Sequence, residues 1–512
     1  MHSNKIIVSE DTKDIQKEST SENQASSYRS IFKATSLFGG VQLYSILIQI
    51  IKSKVLAVLL GPLGVGLQGL YQSALDLVKQ TTSLGISQSA VRDVAEASGS
   101  GDVKRISKTM TVLRRIVWFT GLFGLIVIVV FSPLLSETSF GNKDYIIPFI
   151  FLSVVLLFDQ LSAGQKVLLQ GMRRLKDLAK ASAIGVTVSL LFSLPLYYFW
   201  GESGIVPAMI LTSATALGVS WFYSRKVDIK EIPVTIREVL SEGKSMIVMG
   251  ISMSLSGVMT MGGAYLIRSL IRKWGGIDEV GLFHAGFVII NTYVGLVFSA
   301  ISTDYYPRLA AVNKDNEKCK DVVSKQGEVS IYLLAPLLSI CILLMPFVIE
   351  LLYSNQFLPA DSFIKWACVG MMFRLSSWLV SYIFVAKAES KLFLINEFLG
   401  TFNYIWISIL GYKLGGLTGM GIAFSANYFV YFLQVYLIAH KRYGFSFSIE
   451  YLRSFLVQLT LITLCLVVML LVKGVEKYVF GSILVLLTIF ISLWGINNRI
   501  GLKSFLQSKI HK

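Results

Sequence analysis

Charge is what this chain has least of. Asp, Glu, Lys and Arg together make up 15% of its 512 residues, against about 25% in an ordinary soluble protein, which excludes a conventional water-soluble fold. The four cysteines, Cys319, Cys341, Cys368 and Cys465, stand singly with no CxxC spacing, so neither a disulfide framework nor a thiolate site is indicated. The four histidines, His2, His284, His440 and His511, make no HxxxH or HExxH pattern; the expectation is no metal and no cofactor. No GxxxxGK[ST] run is present to hold a nucleotide. Residues 1–29 contain no apolar stretch, so no cleavable signal peptide is expected.

What the chain does have is hydrocarbon. Apolar residues are 54% of it and the mean hydropathy is +0.64. From Ile31 onward, runs of roughly 20 apolar residues recur, each long enough to cross a ~30 Å hydrocarbon core at ~1.5 Å per residue. They fall near 34–60, 66–86, 113–135, 145–165, 181–200, 204–224, 245–271, 281–303, 328–353, 362–386, 393–412, 416–439, 454–472 and 478–498. The expected fold class is therefore an all-α polytopic membrane protein with about 14 transmembrane helices. Ahead of them, residues 1–30 mix Lys5, Lys13 and Lys17 with Glu10, Asp11, Asp14, Glu18 and Glu22, which reads as a disordered cytoplasmic tail.

The net charge of +16 could point to nucleic acid, but almost all of the cations sit in short loops between apolar runs, so no nucleic-acid partner is expected. About 30 of the 47 lysines and arginines lie in one alternating set of loops and about six in the other, which by the positive-inside rule puts both termini in the cytoplasm. The outward loops are each about ten residues or fewer. They leave no room for an extracytoplasmic catalytic domain, and no His/Asp pair marks a span end, so the chain is not expected to be an enzyme. A membrane-bound polysaccharide polymerase or acyltransferase is the least favoured reading.

An internal repeat divides the spans. Gly61-Pro62-Leu63-Gly64-Val65-Gly66-Leu67 aligns with Gly276-Ile277-Asp278-Glu279-Val280-Gly281-Leu282 at an offset of 215 residues, each time between the first and second span of a group of six. A weaker echo pairs Gly204-Ile205 with Gly421-Ile422. Six intervening spans keep the two copies in one orientation, so two six-helix lobes form a parallel pseudo-repeat about an axis along the membrane normal. The expected division is a tail at 1–30, an N-lobe at 31–224, a cytoplasmic linker at 225–243, a C-lobe at 244–439, and a C-terminal helix pair with its tail at 440–512.

The stretch KSKVLAVLLGPLGVGLQGLYQS from Lys52, followed by LGISQSAVRDVAE from Leu84 to Glu96, resembles the O-antigen and polysaccharide flippases of the Wzx type. These belong to the MOP superfamily, with the lipid II flippases and the MATE drug exporters. The resemblance implies two lobes around a cavity that opens to one side of the membrane at a time. The expected function is a flippase moving an undecaprenyl-pyrophosphate-linked oligosaccharide from the cytoplasmic to the periplasmic leaflet of a bacterial inner membrane. Transport would be driven by an ion gradient or by the substrate gradient itself. A lipid II flippase and a MATE-like cation or drug antiporter are the alternatives. The implied partners are the membrane lipid-linked oligosaccharide and, beyond it, a polysaccharide polymerase and chain-length proteins; the chain itself is expected to be a monomer. The last two spans lie outside the repeat and resemble the lipid II flippase arrangement, where such a pair makes a lipid-facing groove.

Charges within spans are the candidate site residues, because an ion at membrane depth costs roughly 2.5–3.5 kcal/mol on insertion scales and is turned toward a partner or a cavity. Lys52 shares a helical face with Ser45 and Gln49. Lys54 lies nearer the span end, where snorkelling is the alternative. Lys79 shares a face with Gln72, Asp76 and Gln80, and an Asp76–Lys79 pair is within reach on one helix. Arg268, three residues from Tyr265, sits as deep as Lys52 in the matching span, and a lysine plus a planar arginine would suit a pyrophosphate. Arg374 is mid-span, whereas Lys365 reads as interfacial. Substrate binding is thus expected of Lys52, Lys54, Lys79, Arg268 and Arg374. Ion coupling is expected of Glu397, near Asn396 and Asn403, and of Asp76 and Asp159. Hinges or helix breaks are expected at Gly61, Pro62, Gly64, Gly66, Gly276 and Gly281. Aromatic residues at span ends (Trp118, Tyr145, Tyr197, Tyr198, Trp200, Trp221 and Tyr353) read as interfacial belts.

Overall fold

A computed structural model describes residues 10–99, 102–172, 174–227 and 232–500. Among these the chain is helical throughout: α1 (Glu10–Thr82), α2 (Ile86–Gly99), α3 (Val103–Phe140), α4 (Ile146–Gly171), α5 (Leu175–Trp200), α6 (Ile205–Ser224), α7 (Ile236–Val288), α8 (Leu296–Ala311), α9 (Asn316–Leu352), α10 (Asp361–Ala386), α11 (Ser390–Tyr443), α12 (Ile449–Leu471) and α13 (Glu476–Ile500). A π-helical turn, Ile289–Val294, joins α7 to α8. Residues 1–9 and 501–512, parts of the two expected tails, lie outside the described residues.

Among the described residues, ten helical segments are long and apolar enough to cross a membrane. Four of them run 43, 50, 45 and 54 residues, about twice the length that a ~30 Å core requires. Each of the four is broken by glycine backbone at positive φ: Gly61, Gly201, Gly276 and Gly416. That region is open to glycine at little steric cost, and a chain that leaves the helix there turns back. Side-chain hydrogen bonds between the two parts of α11, from Asn396 to Tyr431 at 2.9 Å and from Asn403 to Gln434 at 3.3 Å, show such a hairpin. Each half of the four is then a crossing length of its own.

The repeat is visible in the packing. Gly61 and Gly276, 215 residues apart, take φ/ψ of 61°/−163° and 84°/179°. A Cβ on Gly66 would overlap the Ile277 carbonyl oxygen, and a Cβ on Gly281 would overlap the Pro62 carbonyl oxygen. Since Pro62 and Ile277 are also 215 apart, each copy of the motif presses on the other in the same way. In lipid no hydrophobic force drives helix against helix, so small residues that let backbones approach are what hold such a contact. The weaker echo is shifted by two residues. Gly201 and Gly416 have matching φ/ψ (58°/−133° and 53°/−135°), and a Cβ on Gly204 or Gly419 would strike the carbonyl of Leu196 or Gly411. The structural partner of Gly204 is therefore Gly419, at the same offset of 215. The aligned Gly-Ile dipeptides hide this, because Gly421 packs on Phe363 instead.

One small core lies at the end of the bundle that carries the basic loops, called here the basic end. Ile86, Ala90 and Val94 of α2 pack there with Met110, Leu113 and Val117 of α3 and with Val167 and Leu168 of α4. α2 is thus an amphipathic helix laid across that end, and the spans alone did not foretell it. Two boundaries and two belt residues differ from the expectation. α1 already begins at Glu10, inside the stretch read as a disordered tail; its Lys, Glu and Gln content favours helix. α7 begins at Ile236, inside the expected linker, on a capping box in which Thr235 and Glu238 satisfy each other's backbone N–H. Tyr197 and Tyr353, read as belt residues, are 1% and 2% exposed, while Trp118, Tyr198, Trp200 and Trp221 are exposed as expected.

Candidate functional site

The membrane-depth charges separate into three groups. In the first, Lys79 of α1 pairs with Asp159 of α4 at 2.7 Å. Asp76, on the same face, instead accepts from the Gln72 side chain at 2.9 Å. The helical spacing allowed an Asp76–Lys79 pair, but packing of α4 beside α1 supplies Lys79 with a carboxylate from outside its own helix. Two expected ion-coupling residues, Asp76 and Asp159, therefore flank one expected substrate residue.

In the second group, cations hold helix ends. Lys54 Nζ donates to the carbonyl oxygen of Glu350, near the C-terminus of α9. Arg272 Nη2 donates to the carbonyls of Glu137 at 3.4 Å and Thr138 at 3.3 Å, near the C-terminus of α3. Tyr265 adds a 2.9 Å hydroxyl contact to Ser139. The last carbonyls of a helix lack intrahelical partners and carry partial negative charge, which suits a cation. These two clasps, one from each half of the chain, close the end opposite the basic loops. At the basic end Ser89 donates to Met246 O at 2.8 Å, and Lys108 pairs with Glu242 at 2.9 Å.

Lys52 and Arg268 do not meet. Lys52 Nζ donates to Thr212 Oγ1 of α6 at 3.0 Å, turned into the first half. Arg268 is 7% exposed; it donates to Ala264 O at 3.2 Å and lies 5.9 and 5.2 Å from the ring centres of Phe283 and Phe287, and its Nε has no partner. Lys365 is buried, not interfacial, and pairs with Asp361 one turn away at 2.6 Å.

The third group lines a cavity of about 410 Å³ in the second half, walled by α7, α10, α11 and the π-helical turn. Arg374 of α10 donates to Asn291 Oδ1 at 2.6 Å. Its guanidinium makes cation–π contacts with the rings of Phe298 and Tyr428, 5.5 and 5.3 Å from their centres. Asn291 belongs to the π-helical turn, a local irregularity that is frequent at functional sites. Across the cavity Glu397 accepts from the Tyr431 hydroxyl at 2.6 Å, and that hydroxyl accepts from Asn396 at 2.9 Å. Gln434 Nε2 donates to Asn396 Oδ1 at 2.6 Å. Asn427, also in the wall, is 5% exposed, and its Oδ1 has no hydrogen-bond partner among the described residues.

Of the residues expected from sequence, the fold brings Arg374 and Glu397 to one cavity and joins Lys79 to Asp159. Lys52, Lys54 and Arg268 lie in separate surroundings. Sequence reading passed over Asn291, Asn427, Tyr428, Tyr431 and Gln434. A signal was there for four of them: residues 427, 431 and 434 follow i, i+4, i+7 spacing, and 428 stands three before 431, so together they form a polar and aromatic stripe along the helix.

Residues 55–362 match the family model described as polysaccharide biosynthesis protein. The chain is 23% identical over 407 residues to the lipid III flippase of Escherichia coli (strain K12), covering 76% of this chain and 94% of that one, and equally to the lipid III flippase of Shigella flexneri. Among solved structures, the lipid II flippase MurJ in an inward closed conformation superposes with a TM-score of 0.68 at 14% identity, covering 91% of this chain and 99% of that one. A multidrug-resistance MATE transporter of the MOP superfamily, in an inward-facing conformation, gives 0.64 at 16% identity over 78% and 94%. At these identities the structural likeness is one of fold.

Proposed function

Because the chain belongs to the polysaccharide biosynthesis protein family, we propose that it is a flippase that carries an undecaprenyl-pyrophosphate-linked oligosaccharide across a bacterial inner membrane. The basic end faces the cytoplasm, with both termini on that side. The observation that carries this reading is a pair of arginines at membrane depth. Among the described residues, no carboxylate forms an ion pair with Arg268 or Arg374. A cation without an ion pair at that depth is costly; an anionic head group entering between the halves would compensate Arg268, which interacts with Asp76 only at longer range, and Arg374 would meet another part of the same substrate. Lys52 and Lys54 add positive charge on the first half, and Lys79 is held there in its pair with Asp159.

The mechanism that follows needs no reaction at a bond. The head group enters at the cytoplasmic end, the cationic interior screens it from hydrocarbon, and separation of the Lys54 and Arg272 clasps opens the other end. Its affinity must differ little between the two states, since a ligand held tightly in both would not leave. Glu397, joined to the opposite part of α11 through Tyr431, is the proposed proton-coupling group. The lipid III flippases support a lipid-linked substrate.

The test is made in cells. Deletion should abolish the surface polysaccharide and accumulate its lipid-linked precursor in the cytoplasmic leaflet, and Arg268→Ala and Arg374→Ala variants that reach the membrane should fail to restore it. Normal surface glycan on deletion, with altered resistance to cationic drugs, would transfer the assignment to a cation antiporter of the same fold.

A further inference from the structure

Resting on the flippase reading, we infer that the cavity of the second half is a saccharide subsite, separate from the cations that take the pyrophosphate. Three observations converge on it. First, the aromatic side chains of Tyr404, Tyr428, Tyr431 and Trp378 line a space of about 410 Å³, within the ~300–1,000 Å³ of small-molecule pockets. Sugar rings stack their C–H faces on such walls. Second, the polar groups in this space are mixed: Arg374 offers donors, while Glu397 offers an acceptor. A saccharide, with hydroxyls that both donate and accept, uses both kinds. Third, Asn427 Oδ1 is buried without a partner. A buried acceptor left unsatisfied costs about 1–3 kcal/mol, and a ligand hydroxyl or N–H placed in the cavity would relieve that cost.

The same groups disfavour the other two parts of the substrate. A pyrophosphate would find one guanidinium, already spent in part on Asn291, and the Glu397 carboxylate facing it. A polyprenyl chain would leave Asn427 and the remaining Arg374 donors buried and unpaired. Only the glycan suits the whole wall.

Binding to the full-length protein in lipid nanodiscs tests this by calorimetry. The probes are the reducing oligosaccharide released by mild acid from the host's polyprenyl-linked pool, and inorganic pyrophosphate. Oligosaccharide binding should weaken tenfold or more in Asn427→Ala and in Tyr428→Leu, with pyrophosphate binding unchanged; Arg268→Ala should do the reverse. A thermal melt of each variant confirms that it is folded, and the two substitutions at different positions guard against loss of one to misfolding. Equal oligosaccharide binding by both folded variants and the wild type overturns the subsite, as does loss of pyrophosphate binding in them. Absence of oligosaccharide binding to the wild type overturns it as well, while the flippase reading stands or falls separately on precursor accumulation in the deletion strain.

Discussion

Lys54 and Arg272 perform the same task from opposite halves of the chain: each donates to the carbonyl of a glutamate near a helix C-terminus of the other half, Glu350 for the one and Glu137 for the other. Both clasps lie at the end opposite the basic loops, where Gly66 and Gly281 press on Ile277 and Pro62. Closure at that end therefore rests on cation-to-carbonyl contacts and on backbone contact at glycine, and neither leaves room for a larger residue.

Replacing Arg272 with Ala should loosen the closed end without touching the cavity. A cysteine substituted for Ser139, beside the clasp, should react several-fold faster with a membrane-impermeant maleimide in the Arg272→Ala background. Lys54→Ala should act in the same direction, and the double variant should exceed either alone. Unchanged labelling would assign Lys54 to substrate instead, as its position in the span first suggests.

Gly66→Val and Gly281→Val should each force the two halves apart. Overpacking costs typically about 1–3 kcal/mol, and here the obstacle is backbone carbonyl oxygen, which has no rotamer to yield. Both variants should melt at lower temperature than the wild type and lose transport, whereas Gly40→Ala, whose site is open within 4 Å, should be neutral.

Lys79 and Asp159 form the one ion pair between α1 and α4 among those described. Lys79→Ala or Asp159→Ala leaves one charge at membrane depth, so each should reduce surface glycan at equal membrane abundance. Exchange of the two residues restores the pair. If it also restores glycan, the pair is structural; if glycan stays absent while the protein is abundant and folded, Lys79 meets the substrate.

Glu397→Gln keeps the hydrogen-bond geometry with Tyr431 but cannot carry a proton in and out. Transport in vesicles should then proceed down the substrate gradient and cease to respond to an imposed pH gradient. A pH response equal to that of the wild type would remove Glu397 from coupling. Tyr431→Phe, which deletes the donor at 2.6 Å, should shift the pH dependence rather than abolish it.

The all-helical membrane fold and the 215-residue repeat were legible in the sequence because each depends on local properties. A hydrocarbon core demands ~20 apolar residues wherever they fall, and Gly61 and Gly276 break a helix through their own φ. The second repeated break was misaligned by two residues, because a Gly-Ile dipeptide carries no record of which carbonyl its glycine approaches. The site was only partly legible for a related reason. Depth in a span can be counted along the chain, and it picked out Arg374 and Glu397 together with Lys52, Lys54, Lys79, Arg268, Asp76 and Asp159, which the fold sends to other surroundings. The direction a side chain takes depends on which helix packs beside it.

Sequence by itself determined that the chain is an all-helical membrane protein with a doubled architecture and with cations at membrane depth, since hydropathy, charge and glycine spacing act through the covalent chain. Tertiary structure decided what those cations do. It gave Lys79 a carboxylate from α4, set Lys54 and Arg272 on opposite helix ends, and left Asn427 unpaired in a cavity beside Arg374. Each of these outcomes depends on contacts between residues tens to hundreds of positions apart, and only the packing of helices in three dimensions fixes such contacts.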